Sequence, residues 1–195
     1  MTIECVDTSV AGTVRDRDSS GVPGLVLVGV SGAGKTAVGH AIASLTGMHL
    51  VETDDLVERQ SGKSVAQLII GGAGDVEQVR QECALRALGS AGAIVTVGAS
   101  QIENEAVARE LQRLNDQGGT IVELYADVSE VARREGLNKP RSVGLGAPRA
   151  MLRLMIANLH EKYSEIANVL VDTRGKTVDE VSRTVIEQCK IALIP

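Results

Sequence analysis

The sequence predicts a three-layer α/β domain built on a five-stranded parallel sheet, and three observations carry that prediction. Apolar runs of strand length alternate along the chain with longer segments of helical period. Runs such as "LVLV" and "AIVTV" are apolar at every position but Thr96, as expected of strands covered on both faces. Glycines fall where helices should stop, Gly89 and the Gly118-Gly119 pair among them.

Taken in order, residues 1–22 are polar, charged and without sustained period, so they read as a disordered tail before a domain spanning 23–195. The first strand covers 25–30, and a glycine-rich loop leads into a helix from Lys35 to Leu45. A short strand near "MHLV" is followed by helices over 54–62, 64–70 and 76–89. The strand "AIVTV", 93–97, precedes a helix over 103–116 that the glycine pair ends. "TIVELYA" is the fourth strand and "SEVARRE" the helix after it. A Gly/Pro/Lys/Arg-rich segment then leads to a long helix through Tyr163. The strand "NVLVDT" and a helix from Val178 to about Ala192 close the chain.

Composition narrows the functional classes. A formal net charge of -5 with no long basic run gives duplex nucleic acid no electrostatic footing. With no Phe or Trp, and only Tyr125 and Tyr163, there is no stacking row for single strands either. The cysteines Cys5, Cys83 and Cys189 are odd in number and lack metal-site spacing, which suits a reducing, cytoplasmic setting. No run approaches the length of a membrane span, so a membrane partner is not expected; a monomer acting on a small molecule is.

Gly29-Val-Ser-Gly-Ala-Gly34-Lys35-Thr36 satisfies the G-x-x-x-x-G-K-[ST] pattern between a strand and a helix. Its glycines let successive backbone N–H groups, including those of Ser31, Gly32, Ala33 and Gly34, point into one concavity. The helix that follows presents its positive end to an anion held there. Lys35 is expected at the β- and γ-phosphates of ATP, and the Thr36 hydroxyl on a magnesium ion. The carboxylates of "LVETDDLVE" follow the second strand, which places Glu52, Asp54 and Asp55 at the carboxyl edge of the sheet, where open α/β sheets bind ligands. One of the two aspartates, Asp55, reads as a helix N-cap. Asp54 remains as a carboxylate that can hold magnesium through water or take the proton of an attacking hydroxyl.

On the P-loop, the segment "ETDDLVERQSGKSVAQL", Arg80 and the closing "VDT", the chain resembles the shikimate kinases over about residues 24–190. The resemblance implies ATP-dependent phosphoryl transfer to a hydroxyl of a small polar acceptor, with a lid over about 137–149. It implies that Asp54 binds the acceptor, that Arg80 grips the acceptor carboxylate, and that Gly98 lets backbone approach it. It further implies Glu52 on magnesium in place of the family's aspartate, Arg134 near adenine, Arg141 at the transferring phosphate, and Arg174 in the adenine-side loop. Lys35, Asp54 and Arg141 are then the catalytic set.

Three further positions depart from the family. Ala99-Ser100 stand where it carries two further glycines after Gly98, and Leu159 stands where a second substrate arginine belongs, four residues before Tyr163. Leu159 also fits a core position in the helical pattern of "MLRLMIANLH". Two other readings follow: a gluconate-type sugar-acid kinase, whose P-loop is similar, or a nucleotide-binding regulatory protein with degenerate catalysis.

Overall fold

The computed structural model describes residues 22–72, 75–134 and 146–194, with side chains in the last span from Arg149 onward. The tail read over 1–22, except Val22, and Arg141 with most of the lid span lie outside the described residues. The last positions of that span, from Gly146, are the start of a helix.

Five strands form one sheet: β1 (Leu25–Val28), β2 (Leu50–Glu52), β3 (Ile94–Thr96), β4 (Ile121–Tyr125) and β5 (Val169–Asp172). Their order is β2-β3-β1-β4-β5, and every pairing is parallel. The helices are α1 (Lys35–Thr46), α2 (Thr53–Ser61), α3 (Val65–Ile70), α4 (Val76–Leu88), α5 (Glu105–Asp116), α6 (Val128–Arg134), α7 (Gly146–Ile166) and α8 (Val178–Gln188). This is the α/β architecture expected, with strands shorter by one to two residues at their ends. The final helix stops at Gln188, short of Ala192, and the chain turns there through Lys190 at φ 53°.

Local chemistry explains the boundaries. Leu25 to Val28 are all buried, as a central strand between two layers requires. Helix α1 ends at Gly47, whose left-handed φ of 70° lets its N–H reach the Ala43 carbonyl. Helices α3 and α8 each open on a capping box, Ser64 with Gln67 and Thr177 with Glu180. Asn104 caps α5 by accepting from the N–H groups of Ala106 and Val107.

The interior is in two parts. The main core packs the sheet between α1, α5, α7 and α8, and includes Val30 and Ala33 of the glycine-rich loop. A smaller cluster of Val57, Leu68, Val76 and Cys83 holds α2, α3 and α4 together beside it. Strand β1 is central, with β3 and β4 on either side, so the loop leaving it opens at the crevice where the sheet's connections diverge.

Candidate active site

The loop after β1 is shaped by its first glycine. Gly29 has φ 142°, and a Cβ there would lie 2.5 Å from the Leu124 carbonyl oxygen of β4, so only glycine fits. Gly34 caps α1 in the left-handed region, at φ 99°, and the helix N-terminus faces the loop's concavity. Lys35 curls over the loop, its Nζ donating to the Gly29 carbonyl at 2.8 Å and the Val30 carbonyl at 3.1 Å. Burial pulls its pKa down to about 8, with Asp54 and Glu52 opposing the fall.

A cavity of about 520 Å³ lies against this loop. Ser31, Gly32, Gly34, Lys35 and Thr36 line one side, and Glu52, Asp54, Gly98 and Ala99 another. The elements facing the loop are tied to each other by short bonds. The Thr53 hydroxyl accepts from the Gly98 N–H at 2.9 Å, joining the start of α2 to the end of β3. A Cβ on Gly98 would stand 2.8 Å from Asp54 Oδ1, so a side chain at 98 would displace the carboxylate. Glu52 accepts from the Thr96 hydroxyl at 3.3 Å and faces His40 Nε2 at 3.5 Å.

Thr36, Glu52 and Asp54 are hard oxygen donors around one space. No cluster of three or more His, Cys, Asp or Glu that could hold a metal occurs among the described residues. That donor set fits magnesium, which keeps water and phosphate oxygens and takes only one or two carboxylates.

The capping expectation for Asp55 does not hold. Helix α2 starts at Thr53, the cap position belongs to Glu52, and no side chain bonds there. Asp55 is an exposed residue of the first turn, where its charge complements the helix dipole.

The arginines differ in what they do. Arg134 Nη1 donates to the Gly32 and Ala33 carbonyls, both at 3.0 Å, and to the Thr173 hydroxyl at 3.1 Å. Nη2 donates to the Thr173 carbonyl at 2.9 Å, and Glu130 holds Nε at 3.1 Å. It is a staple joining the phosphate loop, α6 and the loop after β5, a role no local sequence signal announces. Arg174 forks onto Asp172 and lies over the Tyr125 ring, 5.6 Å from its centroid.

Arg80 is only 6% exposed and is absent from the cavity lining. It donates to Glu77 one turn back and, at 2.8 Å, to Ser100 Oγ. Leu159 is buried in the main core with Ile156, Tyr163 and Ile166, so the core reading of that position is the correct one. The Tyr163 hydroxyl points to the Gly29 carbonyl at 3.4 Å and donates to the Ala99 carbonyl. Burial pushes its pKa well above the usual tyrosine value.

The family model "Shikimate kinase" matches residues 31–190. The chain belongs to the shikimate kinase family. It is accordingly a small-molecule kinase, a phosphotransferase on the P-loop fold. The shikimate kinase of Thermobifida fusca is 32% identical over 87% of this chain and 96% of its own length. Among solved structures, the shikimate kinase from Acinetobacter baumannii in complex with shikimate superposes with a TM-score of 0.71. It is 22% identical and covers 86% of this chain and 92% of its own. A gluconokinase from Sinorhizobium meliloti shares the fold at a TM-score of 0.59 and 23% identity, over 86% of this chain and 91% of its own. No helix among the described residues of this shikimate kinase family member is long and apolar enough to cross a membrane.

Proposed function

We propose that the protein transfers the terminal phosphoryl group of ATP to a hydroxyl of shikimate or a related small hydroxy acid. One observation supports this most: Asp54 and the phosphate loop face each other across a single cavity at the carboxyl edge of the sheet. The loop N–H groups and Lys35 hold the β- and γ-phosphates, while the Arg134 staple fixes the loop and the adenine-side segment of Thr173 and Arg174. Thr36 and Glu52 would hold magnesium, which supplies neutralisation of phosphate charge. Asp54, beside Gly98, accepts the proton as the acceptor oxygen bonds to the γ-phosphorus. The bond from that phosphorus to the β-phosphate oxygen breaks, and ADP leaves. By the family resemblance Arg141 would meet the departing charge, under a lid that would exclude water.

Replacement of Asp54 by Asn tests the assignment, since the amide keeps the shape but takes no proton. Coupled ADP-release kinetics on shikimate should fall by about 100-fold or more, with calorimetric nucleotide affinity changed only a few-fold. A fully active Asp54→Asn variant returns that residue to a structural role. Turnover on gluconate but not shikimate favours the sugar-acid reading, and nucleotide binding without turnover on any hydroxy acid favours the regulatory one.

A further inference from the structure

Arg80 stands on α4, and the family resemblance makes it the cation for an acceptor carboxylate. Two of its three guanidinium nitrogens are nevertheless bonded to protein groups. Nη2 donates to Ser100 Oγ at 2.8 Å, Nη1 to the Glu77 carboxylate, and Nε is buried with no hydrogen-bond partner. Of the two holding groups, Glu77 is largely solvent-exposed and exchanges readily with water, so it is the weaker. Ser100 is not like that. It sits at the helix-like corner between β3 and the short 3-10 turn at Gln101–Glu103, fixed by its own backbone, whose carbonyl accepts from the Glu103 N–H. A glycine at 100 offers no hydroxyl, so this bond exists only because this chain carries a side chain there. The second cation such a site would need is missing as well, because position 159 is an apolar core residue.

We propose that Ser100 is a specificity-determining residue: its hydroxyl holds Arg80 away from the cavity. The site therefore takes acceptors whose end nearest Arg80 is neutral and hydroxylated almost as well as those that carry a carboxylate there. The proposal rests on the phosphotransfer reading above and names the acceptor class for the same site. A carboxylate that forks onto Arg80 through Nη2 competes with Ser100 Oγ for that nitrogen, and the competition subtracts from its affinity. A neutral polyol faces no such exchange.

The measurement is the ratio of kcat/KM for shikimate to that for its carboxamide, which keeps the ring hydroxyls and removes the charge. In the wild type the ratio should be small. Ser100→Ala and Ser100→Gly should each raise it by about tenfold through a lower KM for shikimate, with the KM for ATP unchanged. Ser100 has φ -94°, which alanine and glycine both adopt, and melting curves verify the fold of each variant. Adding Arg80→Met to Ser100→Ala should erase the gain, because the freed guanidinium is its source. A gain in the glycine variant alone assigns the effect to backbone access and overturns the proposal, as does a gain that survives Arg80→Met. Equal ratios in all proteins overturn it also. Absence of turnover on either compound in every protein is a separate result, which sinks the phosphotransfer reading and this proposal with it.

Discussion

The phosphate side and the acceptor side of the cavity are built by different means. The phosphate loop is anchored in the main core through Val30 and Ala33, and the backbone N–H groups proposed to meet the phosphates are set by glycine geometry. The arm of α2 to α4 proposed to meet the acceptor rests on the small cluster of Val57, Leu68, Val76 and Cys83, and in that proposal its recognition depends on which partner Arg80 holds. A backbone cradle changes little when neighbouring side chains drift, because its donors are not side chains. A guanidinium is re-aimed by one hydroxyl. The same family fold can therefore keep its nucleotide chemistry while its acceptor preference moves.

The largest expected effect breaks the comparison on the acceptor side. Leu159→Arg would restore the family's residue at that position, yet it would bury a guanidinium beside Ile156, Tyr163 and Ile166 with no acid shown to meet it. The expected cost is about 4 kcal/mol or more of stability, seen in urea unfolding, with loss of soluble protein as the extreme. A variant that melts like the wild type and binds shikimate more tightly would show that this face of α7 opens to the cavity after all.

A smaller effect tests the other half. Lys35→Ala would remove the proposed charge-assisted contacts to phosphate, worth about 1.5 to 3 kcal/mol, so ATP should bind roughly 10- to 100-fold more weakly by calorimetry. Stability should hold, since Lys35 bonds only to the Gly29 and Val30 carbonyls among the described contacts and its charge is disfavoured by burial. Unchanged affinity would remove the phosphate side from the comparison altogether.

What the sequence disclosed follows the same division. The phosphate loop, the carboxylates after β2 and the order of strands and helices are legible because each is a local pattern of glycine, apolar period or spacing. The helix starts at Ser64 and Thr177 were open to the same reading, as Ser-x-x-Gln and Thr-x-x-Glu ahead of apolar positions. Asp55 reads as a cap because Asp often is one, but the chain enters α2 three residues earlier than that reading needs. The Arg134 staple and the Arg80–Ser100 bond join residues far apart in sequence, and no spacing rule reaches across such distances.

The smallest effect concerns α7, the element that serves both halves. It is tied to β4 by His160, whose Nδ1 lies 2.8 Å from Oε1 of the buried Glu123. Tyr163 of the same helix also lies within electrostatic reach of that carboxylate. Burial pushes the Glu123 pKa up, and the His160 bond only partly offsets it. A carboxyl raised in the folded state contributes stability below the ordinary glutamate value, about 4.3, and loses it as pH climbs through the raised one. Wild-type melting temperature should therefore decline from mildly acidic to neutral pH. Glu123→Gln cannot ionise, so its profile over that window should be flatter by a few degrees, while ATP affinity stays as it was because Glu123 does not line the cavity. Parallel melting profiles for the two proteins would mean that Glu123 keeps one protonation state over that window, which would make its bond to His160 a fixed tie between β4 and α7.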